Sequence, residues 1–159
     1  MNRFISTILV SAGLACAATT VLADGHSAAL EKAIKARKGL MQVYSFTLSG
    51  IGAMAKGEKE YDAKLAAGLA SALLSATKAN VGPMWAPGSD STAMPGKTRA
   101  KKEAWTTYPK SAEAQKALVA AAEALAAGAG NGKDGLGPLV GAVGKSCGGC
   151  HKPFREEAK

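Results

Sequence analysis

The chain is poor in the residues most chemistry needs: three cysteines, two histidines and 5% aromatics in 159 residues. Beyond Cys147 and Cys150 there is no second cysteine pair and no Cys/His cluster, which argues against a four-ligand zinc site. No dense basic cluster interleaved with aromatics occurs, so no nucleic-acid partner is indicated. Nothing supplies a pocket with an acid–base pair, so no bond-making enzyme is implied. The text reads as helix after helix, which removes the βαβ setting expected of a C-x-x-C redox pair. What the length allows is one domain with a modest core.

The N-terminus is better supplied. Arg3 precedes an apolar run from Phe4 to Leu22 broken by Ser and Thr, and Val21-Leu22-Ala23 stands before Asp24. A basic start, an apolar stretch and a small-residue cleavage site mark residues 1–23 as an export signal, leaving 24–159 as a periplasmic mature chain. The Ser, Thr and Gly content disfavours a retained membrane anchor, and Gly13 in Gly13-Leu14-Ala15 disfavours lipid attachment at Cys16. Removing the signal deletes Arg3 and lowers the formal charge from +8 to +7. That surplus suits an acidic partner or an anionic membrane surface, although lysines scattered along helices are usually a solvated face. Cys16 leaves too, and the remaining cysteines lie together in Cys147-Gly148-Gly149-Cys150-His151.

That stretch is the C-x-x-C-H pattern of covalent haem c attachment. Each thiol can add to one vinyl group, and the imidazole that follows can reach the iron from the proximal side. One haem c, held by two thioethers, is therefore expected. Only Lys152 to Lys159 follow, so a ligand on the opposite face must come from upstream.

The helices can be placed by their apolar spacing. Helix A runs from Ser27 to Lys56, with Leu30, Ile34, Arg37, Met41, Tyr44, Leu48, Ile51 and Ala55 on a seam of alternating four and three steps. Gly57 fits its C-cap. Helix B, from Asp62 to Asn80, has Asp62 as N-cap and Leu65, Leu69, Ala72, Leu73 and Ala76 as its expected buried side. Val81 to Lys97, with Pro83, Pro87, Pro95 and three glycines, is an irregular crossover. Trp105 anchors a short turn between Thr98 and Tyr108. Pro109 opens helix C, which Gly128-Ala129-Gly130-Asn131-Gly132 stops. Helix D spans Gly135 to Glu156, with Leu136, Val140, Val143, Cys147, Cys150 and Phe154 on one seam. The fold expected is all-α, an antiparallel four-helix bundle with one long B–C crossover loop. Its side chains underfill the core, and an inserted haem would make good the volume, so the apoprotein is expected to fold poorly.

Candidates for the distal ligand are His26, Met41, Met54, Met84, Met94 and the lysines. Met84 and Met94 sit in the crossover, His26 at the frayed mature N-terminus and Met54 off the seam. Met41 is on the seam near mid-helix, and the spacing points to it.

The chain resembles the class II cytochromes c, which include cytochrome c prime and its low-spin relatives. The resemblance rests on Arg37-Lys38-Gly39-Leu40-Met41, Ala55 to Asp62, Lys101-Lys102-Glu103-Ala104-Trp105 and Cys147 to Arg155, and it spans essentially the mature chain. It implies thioethers at Cys147 and Cys150, a proximal ligand at His151 and a distal position at Met41, which holds a coordinating Met only in the low-spin branch. It also implies a place for Arg37 near a haem propionate and for Arg155 beside the proximal imidazole. A propionate would remove the cost of burying Arg37 on an apolar seam. His26 and Trp105 read as structural. The expected role is a periplasmic one-electron carrier with His151/Met41 ligation, working with other periplasmic redox proteins. The alternative is a five-coordinate iron binding NO or CO. Bundles of this class often dimerise through helices A and B, and the small residues of helix B permit a homodimer.

Overall fold

The computed structural model describes residues 17–158, with side chains from residue 25 onward. Residues 1–16 of the expected export signal lie outside the described residues, and its remainder opens the first helix. The elements are α1 (Ala17–Lys56), α2 (Ala63–Lys78), a 3-10 turn (Gly82–Trp85), α3 (Glu103–Thr106), α4 (Tyr108–Gly128) and α5 (Leu136–Phe154). Helix α1 neighbours α2 and α5, and α4 neighbours the same two, so α1, α2, α4 and α5 form the square of a four-helix bundle. The long connection between α2 and α4 is the crossover.

Local chemistry explains most of the boundaries. Gly57 adopts φ 79°, a left-handed conformation that ends α1 while its N–H donates to Met54 O at 3.1 Å. Asp62 caps α2 by accepting the Leu65 N–H at 2.9 Å. Pro109 sits in the first turn of α4, where its missing N–H costs nothing. Helix α5 stops at Phe154, short of Glu156, because Arg155 is extended and bridges antiparallel to Ala100.

Two expectations about buried faces are corrected. The buried side of α2 is Ala66, Ala70, Leu73 and Thr77, not the Leu65 and Ala72 stripe. Because α2 lies against both α1 and α4, alanines take the positions of closest approach. The flanking leucines are left at the edges: Leu69 is half-buried and Leu65 is exposed. Met54, expected off the α1 seam, is fully buried. Helix α1 lies against both α2 and α5 and so buries a face wider than one heptad seam, which towards its end takes in Thr47, Ile51 and Met54 while Leu48 and Ala55 stay half-buried.

The apolar core is concentrated at the end where the two short turns lie. Ile51, Met54, Ala66, Ala70, Leu125, Ala129 and Leu136 are wholly buried there. Tyr61 ties the turns together, donating to Ala129 O at 2.9 Å and accepting the Gly132 N–H at 3.0 Å. Helices touch closely along this part of the bundle. A Cβ placed on Gly50 would stand 2.9 Å from Leu69, and one on Gly128 would stand 2.6 Å from Leu139.

Candidate functional site

The other end of the bundle carries the C-x-x-C-H. On α5, Cys147, Cys150 and His151 stand at i, i+3 and i+4, so their side chains share one face within a turn. All three are half-buried, and both thiols are free. Burial pushes the Cys147 thiol above its ordinary pKa. Burial and the neighbouring Cys147 do the same to Cys150, with Arg155 opposing. A thiol–disulfide catalyst needs the opposite shift, toward thiolate. These cysteines are held as protonated thiols, the form that adds across a vinyl group. Burial, then the charges of Arg155 and Arg99, depress the pKa of His151. The imidazole is therefore neutral at neutral pH, with a lone pair to give a metal.

On α1, Tyr44 belongs to the apolar core and Leu40 and Met41 are half-buried against it, as Cys147 is on α5. Cys147 is close enough to Tyr44 to reinforce the rise that burial causes in its phenol pKa. The other methionines are placed elsewhere. Met54 is sealed into the closed end. Met84 lies in the 3-10 turn with its carbonyl engaged by Arg37, and Met94 sits in a turn whose N–H donates to Asp90 O. His26 is exposed. Met41 is half-buried against the core one turn before Tyr44, the residue that Cys147 approaches.

The residues fit a haem. The motif lies on a half-buried part of α5, with Cys147 packed against the apolar core. Two protonated thiols and one neutral imidazole complete the donor set that haem c requires.

Arg37 is a buried cation held by the crossover. It is 4% exposed, yet its two terminal nitrogens donate to Met84 O at 2.9 Å, Ser89 Oγ at 3.0 Å, Ser89 O at 2.9 Å and Thr98 Oγ1 at 3.1 Å. Its guanidinium carbon lies 4.7 Å from the Trp85 ring centre and 5.6 Å from that of Trp105. The crossover itself thus offsets the cost of burying the cation. Trp105 is structural as expected, donating its indole N–H to Trp85 O at 2.8 Å.

Arg155 is exposed and within electrostatic reach of His151 and Cys150. Arg99, Thr98, Ser89 and Trp85 were not anticipated from the sequence. The one available signal was that the only two tryptophans lie within and just after the crossover, offering ring faces to a buried cation. Nothing in the sequence announces the pairing of residues 99–101 with 154–156, because it is a single bridge with no strand around it.

Comparison with known proteins gives a consistent result. The family profile described as Cytochrome C' matches residues 32–155. The chain is 35% identical over 133 residues to a cytochrome c' of Cereibacter sphaeroides, covering 84% of this chain and 89% of that one. It is 30% identical over 128 residues to a cytochrome c-554 of the same organism, covering 80% and 83%. Among solved structures, a Rhodobacter cytochrome c' superposes with a TM-score of 0.78 at 35% identity, covering 81% of this chain and 98% of that one. A second cytochrome c', described as having ligand-controlled dimer dissociation, gives 0.74 at 25% identity over 80% and 97%.

Proposed function

The chain belongs to the cytochrome c' family, and from that premise we propose that it uses its haem to bind a small diatomic gas, NO or CO, on an apolar face built by α1. Members of the family carry one covalently attached haem c. Here Cys147 and Cys150 would hold it through two thioethers, with His151 as proximal ligand. When bound, the group supplies an iron able to take up a diatomic ligand or an electron.

The observation that carries the reading is the absence of a spare hydrogen-bond donor on α1 beside the motif, among the described residues. The Tyr44 hydroxyl donates to Ala76 O at 3.1 Å, and the terminal nitrogens of Arg37 are engaged by the crossover. Leu40 and Met41 are left to face the ligand side. Such a face offers nothing to a ligand that needs a hydrogen bond, and it admits NO or CO. The greater identity to a cytochrome c' than to a cytochrome c-554 also supports this reading over the electron carrier.

The carrier remains the second reading, favoured by a thioether half-buried against the core one turn before Tyr44, which Cys147 approaches. There Met41 and His151 would saturate the iron, and periplasmic redox proteins would be the partners. Titrating the reduced haem protein with CO tests the choice. Gas binding predicts stoichiometric uptake at micromolar CO, whereas little or no uptake would favour Met41 ligation. In either reading no acid–base pair serves a bond-making reaction, and the 1–23 signal would deliver the mature chain to the periplasm.

A second copy of the chain is the proposed partner of the outer α1/α2 face. Phe46 is 74% exposed, Val43 45% and Leu65 36%, and Leu65, Gly68 and Leu69 line a shallow groove beside them. One solved relative is described as a dimer that a ligand dissociates. Phe46→Glu is expected to weaken dimerisation by roughly tenfold or more, the scale of a buried aromatic anchor, as read by sedimentation equilibrium. An unchanged dimer constant would move the interface elsewhere.

A further inference from the structure

We propose that the crossover, residues 81–101, is a strap that fixes the position of Met41 relative to His151, with Arg37 and Thr98 as its positioning residues. The inference rests on the haem reading. It holds whether Met41 packs over the iron or ligates it, since in both cases that side chain must move aside for a gas.

The strap is anchored at both ends. On α1 the anchor is Arg37, one turn before Met41, whose four donated bonds and two ring contacts all go to residues 84–105. On α5 the anchor is the residue that ends the helix. Ala100 bridges to Arg155, the Lys101 N–H donates to Phe154 O at 2.9 Å, and the Glu156 N–H donates to Arg99 O at 2.8 Å. Ser91 Oγ adds a bond to Glu156 Oε1 at 2.6 Å.

Thr98 joins the two anchors. Its hydroxyl oxygen accepts from Arg37 Nη2 at 3.1 Å and from the Ala100 N–H at 3.1 Å. Ala100 pairs with Arg155, and the Arg155 N–H donates to His151 O at 3.0 Å. A short path of hydrogen bonds and paired backbone therefore runs from one turn before the distal position to the proximal ligand itself. Thr98 is 8% exposed and Arg37 is 4% exposed, so water cannot readily replace these bonds. The exposed Lys97–Glu31 ion pair at 3.0 Å also links the crossover to α1, but a solvated pair of this kind fixes little.

The test uses the haem-loaded protein and its Thr98→Val, Thr98→Ser, Arg37→Lys and Lys97→Ala variants. The readouts are covalent haem content, the ferric absorption spectrum and the rate at which the reduced protein takes up CO. Thr98→Val is expected to change the CO rate by roughly 2- to 30-fold, the range for residues that couple two sites without touching the ligand. Thr98→Ser keeps the hydroxyl and should restore the wild-type rate, and Lys97→Ala should leave it within about twofold. In the Arg37→Lys, Thr98→Val double variant the effects should be non-additive, because the two changes remove one shared bond. Unchanged CO rates in Thr98→Val, with only a lower melting temperature, would overturn the strap and leave the haem reading intact. A wild-type protein without covalent haem would overturn both. If Arg37→Lys does not fold, the Val and Ser pair at position 98 decides alone.

Discussion

The Cys147→Ser, Cys150→Ser double variant is expected to be made without covalent haem and to lose its cooperative unfolding transition. A haem stain on a denaturing gel reads the first effect, and a thermal melt followed by circular dichroism reads the second. The reason lies in where the apolar core ends. Seven of its nine wholly buried members, Ile51, Met54, Ala66, Ala70, Leu125, Ala129 and Leu136, gather toward the turns, with Leu73 and Ala122 farther from them. At the motif the core gives way to half-buried residues, Cys147 on α5 and Leu40 and Met41 on α1. Apolar surface left there without a partner forfeits about 25 cal/mol per Å². A domain of this kind has a total margin of only about 5–15 kcal/mol. With the thioethers gone, His151 alone would hold the group by a reversible bond, and its stabilisation would depend on free haem concentration. A double variant that melts like the wild type would show that the haem is a passenger on a self-sufficient bundle.

Met41→Ala is expected to tighten CO binding about 5- to 150-fold, the equivalent of relieving an overpacked contact of about 1–3 kcal/mol. Met41 is half-buried against the core one turn before Tyr44, which Cys147 approaches, so in the proposed site a ligand arriving between α1 and His151 must displace it. Alanine removes that obstacle and introduces no donor, so the gain should appear for CO and NO alike. The ferric spectrum distinguishes the readings. If Met41 only packs over the iron, its removal leaves the spectrum essentially as it was. If Met41 ligates, the same substitution turns a low-spin spectrum high-spin, and the gain in affinity comes from a lost competitor.

Much of this was readable from residue spacing. The C-x-x-C-H fixed the cofactor chemistry, and its place at the end of the last helix turned attention to α1. Asp62, Gly57 and Pro109 act at helix ends as their side-chain and backbone chemistry dictates. What escaped was set by neighbours that no local pattern contains. The α2 stripe rotated because that helix serves two partners, so Ala66 and Ala70 went inward and Leu65 outward. Met54 went inward because α1 lies against two helices and buries a face wider than one heptad seam. Arg37 read correctly as a buried cation that needs a partner. Its partners are carbonyls and hydroxyls of a loop some 50 residues on, and spacing along α1 cannot reveal those. Arg99 comes near His151 only because residues 99–101 pair with the end of α5.

The absorption spectrum of the purified wild-type protein, ferric and then reduced, tests the central claim most directly. An iron held by His151 beneath a non-coordinating Met41 predicts a high-spin spectrum with broad visible bands in both states. Sharp α and β bands on reduction, with a weak ferric methionine-to-iron charge-transfer band that disappears in Met41→Leu, would contradict it and make the protein an electron carrier.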